Sequence, residues 1–380
     1  MGMNPWTKEH RLFRSSVRDY VKGELAPYAE EWESQQTFPR KVFNDLGNLG
    51  FLGIRYPEKY GGSDLDYWYT VILCEELVRS GMLGLAIDVM VQCEFSIGVI
   101  NDIGSEEQKV NFLTPAIAGE KLAALGITEP GAGSDVAALQ TTALRDGDHY
   151  IINGSKTFIS NATHADFITL AVRTGEEGRR GISLILVPTD IPGFEAVRLN
   201  KTGVHTSHTA ELFFDDCRVP ASNLLGEEGD GFLQIMLHFQ GERLILASFA
   251  NAMMSWALEL ALDYGKRRSV FKQHVTSYQI WKHRIADVLT RIEASRQLTY
   301  HACDSLVKGE KVESAVSMAK LFATESVRPV VSECYQIFGG YAYMEDYPIA
   351  RIYRDVAAMT IGAGTSEVMR EIISRENKVG

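Results

Sequence analysis

The sequence predicts a mainly α-helical chain with a compact, antiparallel, barrel-like β domain at its centre. Three observations carry this reading. Apolar residues recur at helical spacings over residues 1–122, which makes an N-terminal helical domain. Short β-branched and aromatic runs separated by Xaa-Gly turns fill residues 123–225, the central β domain. Long, apolar helical segments return over residues 226–380, enough for a C-terminal helical bundle.

Taken in order, Leu12, Val17, Tyr20, Val21 and Leu25 recur among charges as an amphipathic helix requires. Pro27, Pro39 and Pro57 punctuate the region, and Tyr60-Gly61-Gly62 makes a turn. Residues 70–79 and 84–100 continue the helical pattern. Ser105, followed by Glu106, Glu107 and Gln108, caps a further helix running toward Leu113. The strand candidates are 150–152, 167–172, 182–187 and 212–214, with Asp146-Gly147, Asn153-Gly154, Thr174-Gly175 and Pro192-Gly193 between them. The acidic glycine segment 226–231 then leads into residues 232–264, apolar enough to be buried on most sides. Segment 278–307 carries a stripe of Ile285, Val288, Leu289 and Ile292, and 313–338, 348–359 and 365–376 complete the helices.

Composition excludes several function classes. At 380 residues and 45% hydrophobic content the chain can bury a large core. A net charge of -11 argues against nucleic acid, whose phosphates need a basic face. Five scattered cysteines without a C-x-x-C pair fit reduced thiols within a cell. His205 and His208 lie in a Thr-Ser stretch without an acidic cluster and read as loop residues, not metal ligands. No apolar run reaches spanning length and residues 1–11 lack a signal-peptide core. The expected setting is therefore soluble and cytoplasmic, or the mitochondrial matrix for a processed eukaryotic chain.

Four stretches suggest chemistry. Gly126-Ile127-Thr128-Glu129-Pro130-Gly131-Ala132-Gly133-Ser134-Asp135 offers exposed N–H groups beside two hydroxyls, either as a surface turn or as a ligand loop. It is neither a P-loop nor a G-x-G-x-x-G fingerprint. Arg267-Arg268, at the break after a long helix, suits the helix C-terminal dipole or a phosphate clamp. Gln336-Ile337-Phe338-Gly339-Gly340 is a left-handed helix cap or backbone beside a ligand. Ile361-Gly362-Ala363-Gly364-Thr365-Ser366-Glu367 feeds a helix N-terminus, which caps itself with Thr or Ser and also attracts anions.

These stretches follow Pro57-Glu58-Lys59-Tyr60-Gly61-Gly62 and Glu75-Glu76-Leu77. Asn153-Gly154-Ser155-Lys156-Thr157-Phe158-Ile159-Ser160-Asn161 and Arg268-x-x-Phe271 stand between them. In this order, over nearly the whole chain, they resemble the acyl-CoA dehydrogenase family of flavoproteins. The resemblance implies FAD, with Leu125, Ile127, Thr128, Gly133 and Ser134 lining the flavin and Phe158 and Ser160 against the isoalloxazine. Arg268, Phe271, Gln279, Gln336, Gly339 and Gly340 would hold the adenine half and pyrophosphate of a neighbouring subunit's FAD, completed by Thr365 and Glu367. It further implies a C-terminal four-helix bundle, and oxidation of an acyl-CoA thioester to the trans-2-enoyl-CoA, with hydride leaving the β carbon for flavin N5. Electrons would pass to an electron-transfer flavoprotein, and the assembly would be a homotetramer built as a dimer of dimers.

One departure matters. In many members a Glu directly before the last Gly-Thr removes the α proton, and here that position is Ala363. In the isovaleryl- and long-chain-type branches the base precedes an Arg on a bundle helix, as Glu242 precedes Arg243. Without the resemblance a mid-helix Glu-Arg pair reads as a solvated face. Phe239, Leu244, Ile245 and Leu246 argue for burial instead, which raises a carboxyl's pKa and strengthens it as a base. The Ala363 N–H would still polarise the thioester carbonyl, with a ribityl hydroxyl. Ser134, Gln240, Arg243 and Gly364 would contact the substrate. Ala342, Lys272, His205, Phe158 and Leu125 depart from the family wording in smaller ways. The small Gly362 and Ala363 suggest a medium-to-long or branched acyl chain. The competing expectations are a flavin- or acyl-CoA-binding regulatory protein, a flavin-dependent oxidase or hydroxylase, and a relative adapted to nucleic acid.

Overall fold

A computed structural model describes residues 6–379. Its N-terminal part holds α1 (Lys8–Tyr20), α2 (Ala29–Gln35), α3 (Lys41–Asn48), α4 (Tyr67–Leu77), α5 (Leu83–Met90), α6 (Gly98–Ile103), α7 (Glu106–Gln108) and α8 (Thr114–Ile117). Ser105 and Gln108 form the reciprocal capping box that the sequence suggests, and Thr7 and His10 form a second one at α1. α4 is buried nearly all round, with Asp66 capping it by accepting the Trp68 N–H.

The central sheet comprises β1 (Ala123–Gly126), β2 (Thr142–Asp146), β3 (His149–Ile159), β4 (Phe167–Arg173), β5 (Ile182–Pro188), β6 (Phe194–Arg198), β7 (Ala210–Pro220) and β8 (Leu224–Leu225). Its order is β6-β7-β3-β2-β4-β5-β8, with β1 joined to β4. Pairing is antiparallel except that β1 runs parallel to β4, in register Ala123↔Phe167 through Gly126↔Leu170, and β2 meets β4 in parallel at Thr142↔Arg173. The strand at Ala123–Gly126 is not among those the sequence marks out, and its parallel pairing corrects the purely antiparallel expectation: so short a run shows neither its partner nor its direction. Apolar clusters cover both faces of the sheet, and one of them also takes in Tyr56, Ile97 and Leu113 from the N-terminal helices.

The C-terminal part consists of α9 (Gly231–Arg267), α10 (Gln279–Val307), α11 (Glu313–Phe338), α12 (Pro348–Asp355) and α13 (Ser366–Glu376). α9, α10 and α11 share one continuous core with α1, α4 and α5. The expectation that no apolar run reaches spanning length is corrected here. Leu83–Ile103 and Gly231–Arg267 are both long and apolar enough to cross a membrane, but most of each is buried against other helices. They are apolar because most of their surface is buried inside the protein, although Leu233 and Leu237 on the second are exposed. His208 lies in a loop, as the sequence suggests, but a buried one, within hydrogen-bond reach of Thr37, Thr163 and His164.

Candidate active site

β1 delivers Leu125 to the start of the glycine-rich loop, whose shape depends on an ion pair. The Lys156 ammonium, 0% exposed, donates to Glu129 at 2.7 Å and to the Ile127 carbonyl at 3.2 Å. Glu129 in turn accepts from the Gln140 and Thr141 N–H groups at 2.6 and 2.9 Å. Burial opposes the Glu129 charge, but Lys156 and these donors hold its carboxyl below the ordinary value. The Thr157 N–H donates to the Thr128 carbonyl at 2.8 Å, stitching the loop to β3. Both charged residues lie inside the motifs, yet spacing alone does not show that they meet.

A Cβ at Gly131, Gly133 or Gly340 would touch no atom within 4 Å, and none of the three has positive φ. Neither packing nor backbone conformation therefore demands glycine at these positions, and each leaves the backbone open to close approach by another molecule. Gly133→Ala is accordingly expected to leave stability within about 0.5 kcal/mol while weakening flavin affinity roughly tenfold. Thermal melts of flavin-free protein and a flavin titration check the two halves. Ser134 is exposed beside this glycine, while Ile127 is buried and Thr128 half-buried.

At the end of β3, Phe158 has φ of 61° and is 69% exposed. A large aromatic held left-handed and facing outward is strained, and such strain clusters where a ligand is gripped. Ser160 lies half-buried two residues on, steadied by Asn161, whose amide donates to the Asp88 carbonyl at 2.9 Å.

The first half of α9 packs on the sheet: Ile235 and Phe239 share an apolar cluster with Leu125 and Ile127. Glu242 follows, 7% exposed, with a buried Oε1 that has no hydrogen-bond partner. Burial, only partly offset by the Arg243 charge, pushes its carboxyl up to about 8. Arg243 is also buried, and its guanidinium sits over the Phe239 ring and 3.5 Å from the Gln240 side chain. Desolvation brings its pKa down despite Glu242.

One turn beyond Glu242 on the same face is Leu246, whose side chain lies 3.6 Å from where a Cβ on Gly362 would sit. The loop before α13 thus packs over the face that carries Glu242. Within it Ala363 has φ of 50°, Gly364 φ of 92°, and Thr365 caps α13 by accepting from Val368. The Ile361 and Gly362 N–H groups both donate to Ala358, while the Ala363 N–H has no partner among the described residues. Glu367 is exposed in the first turn of α13.

A second constellation forms at the far end of α9. Arg268, Tyr264, Trp281, Gln336, Gly339 and Gly340 line a cavity of about 600 Å³. Gly339 ends α11 with φ of 58° and ψ of -135°, so the left-handed helix cap expected there is corrected to an extended positive-φ turn. Beside it a two-residue hairpin carries Phe271 at its tip, 91% exposed, and Gln279 is exposed at the start of α10. The structure thus gathers Arg268, Gln336, Gly339 and Gly340 at one cavity and packs the Ala363 loop beside the α9 face of Glu242, while the glycine-rich loop reaches α9 through Leu125 and Ile127. Another cavity, of about 360 Å³ beside α1 and α4, pairs its own charges, Arg14 with Glu75 and Arg79 with Glu259.

Comparison with known proteins agrees across the chain. Residues 7–120, 124–217 and 229–377 match domain models described as the N-terminal, middle and C-terminal domains of acyl-CoA dehydrogenase. An acyl-CoA dehydrogenase of Bacillus subtilis is 39% identical, over 97% of this chain and 98% of its own. The mitochondrial long-chain specific acyl-CoA dehydrogenase of Sus scrofa is 38% identical, over 98% of this chain and 87% of its own. The crystal structure of an acyl-CoA dehydrogenase from Geobacillus kaustophilus superposes with a TM-score of 0.95 at 40% identity, covering both chains fully.

Proposed function

Since the chain belongs to the acyl-CoA dehydrogenase family, we propose that Glu242 is the base that takes the α proton of an acyl-CoA thioester. The observation that carries this is a buried carboxyl with an unpartnered oxygen, on the helix face against which the Ala363 loop packs. Ala363 offers no competing carboxylate, and its free N–H is the donor for the thioester carbonyl, where it stabilises the enolate oxygen as the proton leaves. Arg243 and Gln240 lie beside the base toward the CoA portion, with Ser134 and Gly364 on the pantetheine.

The residues fit the family's FAD: the open glycines, the strained Phe158 and the Arg268 cavity are each suited to a ligand and unexplained by packing. FAD, when bound, supplies the acceptor for the hydride from the β carbon. Leu125, Ile127, Thr128, Gly133, Ser134, Phe158 and Ser160 hold its flavin half. Arg268, Phe271, Gln279, Gln336, Gly339 and Gly340, with Thr365 and Glu367, complete the nucleotide half across a subunit boundary in a homotetramer. The substrate is a medium-to-long or branched acyl-CoA, a reading supported by Glu242 standing in for the carboxylate that Ala363 lacks. An electron-transfer flavoprotein takes the electrons, in the cytoplasm or, for a processed eukaryotic chain, the mitochondrial matrix.

An anaerobic panel of straight and branched acyl-CoAs, added to the yellow protein, tests this. Prompt bleaching by one class is the expected result. Colour that no thioester bleaches overturns it in favour of a binding protein, and rapid reoxidation by air alone favours an oxidase.

A further inference from the structure

Lys320 on α11 is a lysine with 0% exposure in the middle of a bundle, and the Gly364 carbonyl, at 2.5 Å, is the sole hydrogen-bond partner of its ammonium among the described residues. Burying an ammonium with no carboxylate in hydrogen-bond contact is costly. Burial, reinforced by the nearby Arg243 charge and only partly offset by Glu325 and Glu367, brings its pKa down to about 8. A structural cap for one loop carbonyl would be served by any neutral donor, so the charge and its position call for a further reason.

The loop supplies one. Its ends are tied, Ile361 and Gly362 to Ala358 and Ser366 to Thr360. Between them stand two successive residues of positive φ, Ala363 and Gly364, a conformation uncommon for alanine that persists only where its surroundings hold it. Lys320 grips this segment at the residue next to the free Ala363 N–H. It also stands close enough to Arg243, the neighbour of Glu242, for their charges to repel.

We propose that Lys320 is a positioning residue: by holding the Gly364 carbonyl it keeps the Ala363 N–H aimed at the carbonyl of the bound thioester. The proposal rests on the reading of Ala363 as that donor. Misplacing a donor by about an ångström costs up to roughly a hundredfold in rate, whereas a purely structural lysine would change stability and leave the carbonyl alone.

The test uses flavin-loaded protein at pH ~6, where Glu242 is protonated and leaves the α proton in place, and 3-thiaoctanoyl-CoA labelled with ¹³C at the thioester carbonyl; sulfur in place of the β carbon prevents hydride loss. Infrared difference spectra of wild type should show the carbonyl stretch lowered on binding. In Lys320→Met most of that lowering should vanish, and kcat on the best thioester of the panel should fall roughly ten- to a hundredfold, with KM and flavin content little changed. Lys320→Gln, shorter but still a donor, should fall between, and it carries the test if Lys320→Met does not fold. Full lowering of the stretch with kcat within about twofold of wild type, in either flavin-loaded variant, overturns the role of Lys320. If wild type itself shows no lowering and no thioester bleaches it, the reading of Ala363 fails first, and the proposal with it.

Discussion

Replacing Glu242 by glutamine is expected to lower kcat/KM roughly a thousandfold while leaving FAD bound, since a positioned general base supplies about 10²- to 10⁴-fold. The substitution keeps the side chain's shape and removes its ability to take a proton. In wild type, kcat/KM should rise with pH through about 8, where burial has moved the carboxyl, and that limb should be missing from the residual activity of the variant. Stability gives an independent reading. The folded protein holds this proton more tightly than an unfolded chain, whose carboxyl titrates near its ordinary 4.5. The stabilisation by the protonated form is therefore complete below that value and is lost as pH rises through about 8. Glutamine removes the dependence, so the variant's melting temperature should exceed wild type by a margin that grows up to about pH 8 and then levels. Turnover near the wild-type rate would remove Glu242 from the mechanism.

Lys156→Met should be the most damaging single change for the fold around the flavin. It leaves the Glu129 carboxylate buried without its cation, and breaking one side of a buried pair costs about 3–5 kcal/mol. The glycine-rich loop loses its anchor at the same time, because Glu129 also holds the Gln140 and Thr141 N–H groups. The expected result is a large fall in melting temperature together with loss of yellow colour. Adding Glu129→Gln should return part of the stability, since no unpaired charge then remains. A double variant no better than Lys156→Met alone would mean that the pair's electrostatics are not what fixes the loop.

The main divisions of the chain are legible in the sequence because each has its own period: α11 runs Glu313–Phe338, the segment that the spacing marks out. The burial of Glu242 is legible too, through the apolar residues on either side of it. What spacing cannot show is which distant residues meet. Glu129 and Lys156 stand 27 positions apart and join in the core, and Lys320 reaches Gly364 from 44 positions away. β1 is short enough to pass for the edge of a loop, and its parallel partner is set by tertiary packing. The apolar density of Leu83–Ile103 is visible, but only the surrounding helices explain it.

α9 runs unbroken from the base to the arginine that closes it, roughly 39 Å at the helical rise. On the shared-site reading proposed above, a strut of that length would seat one chain in two reaction centres, its own and a neighbour's. A damaged copy could then still lend its sound half. Chains crippled at Arg268 and chains crippled at Glu242, each inactive alone, should regain activity when mixed, because one hybrid centre draws both intact residues.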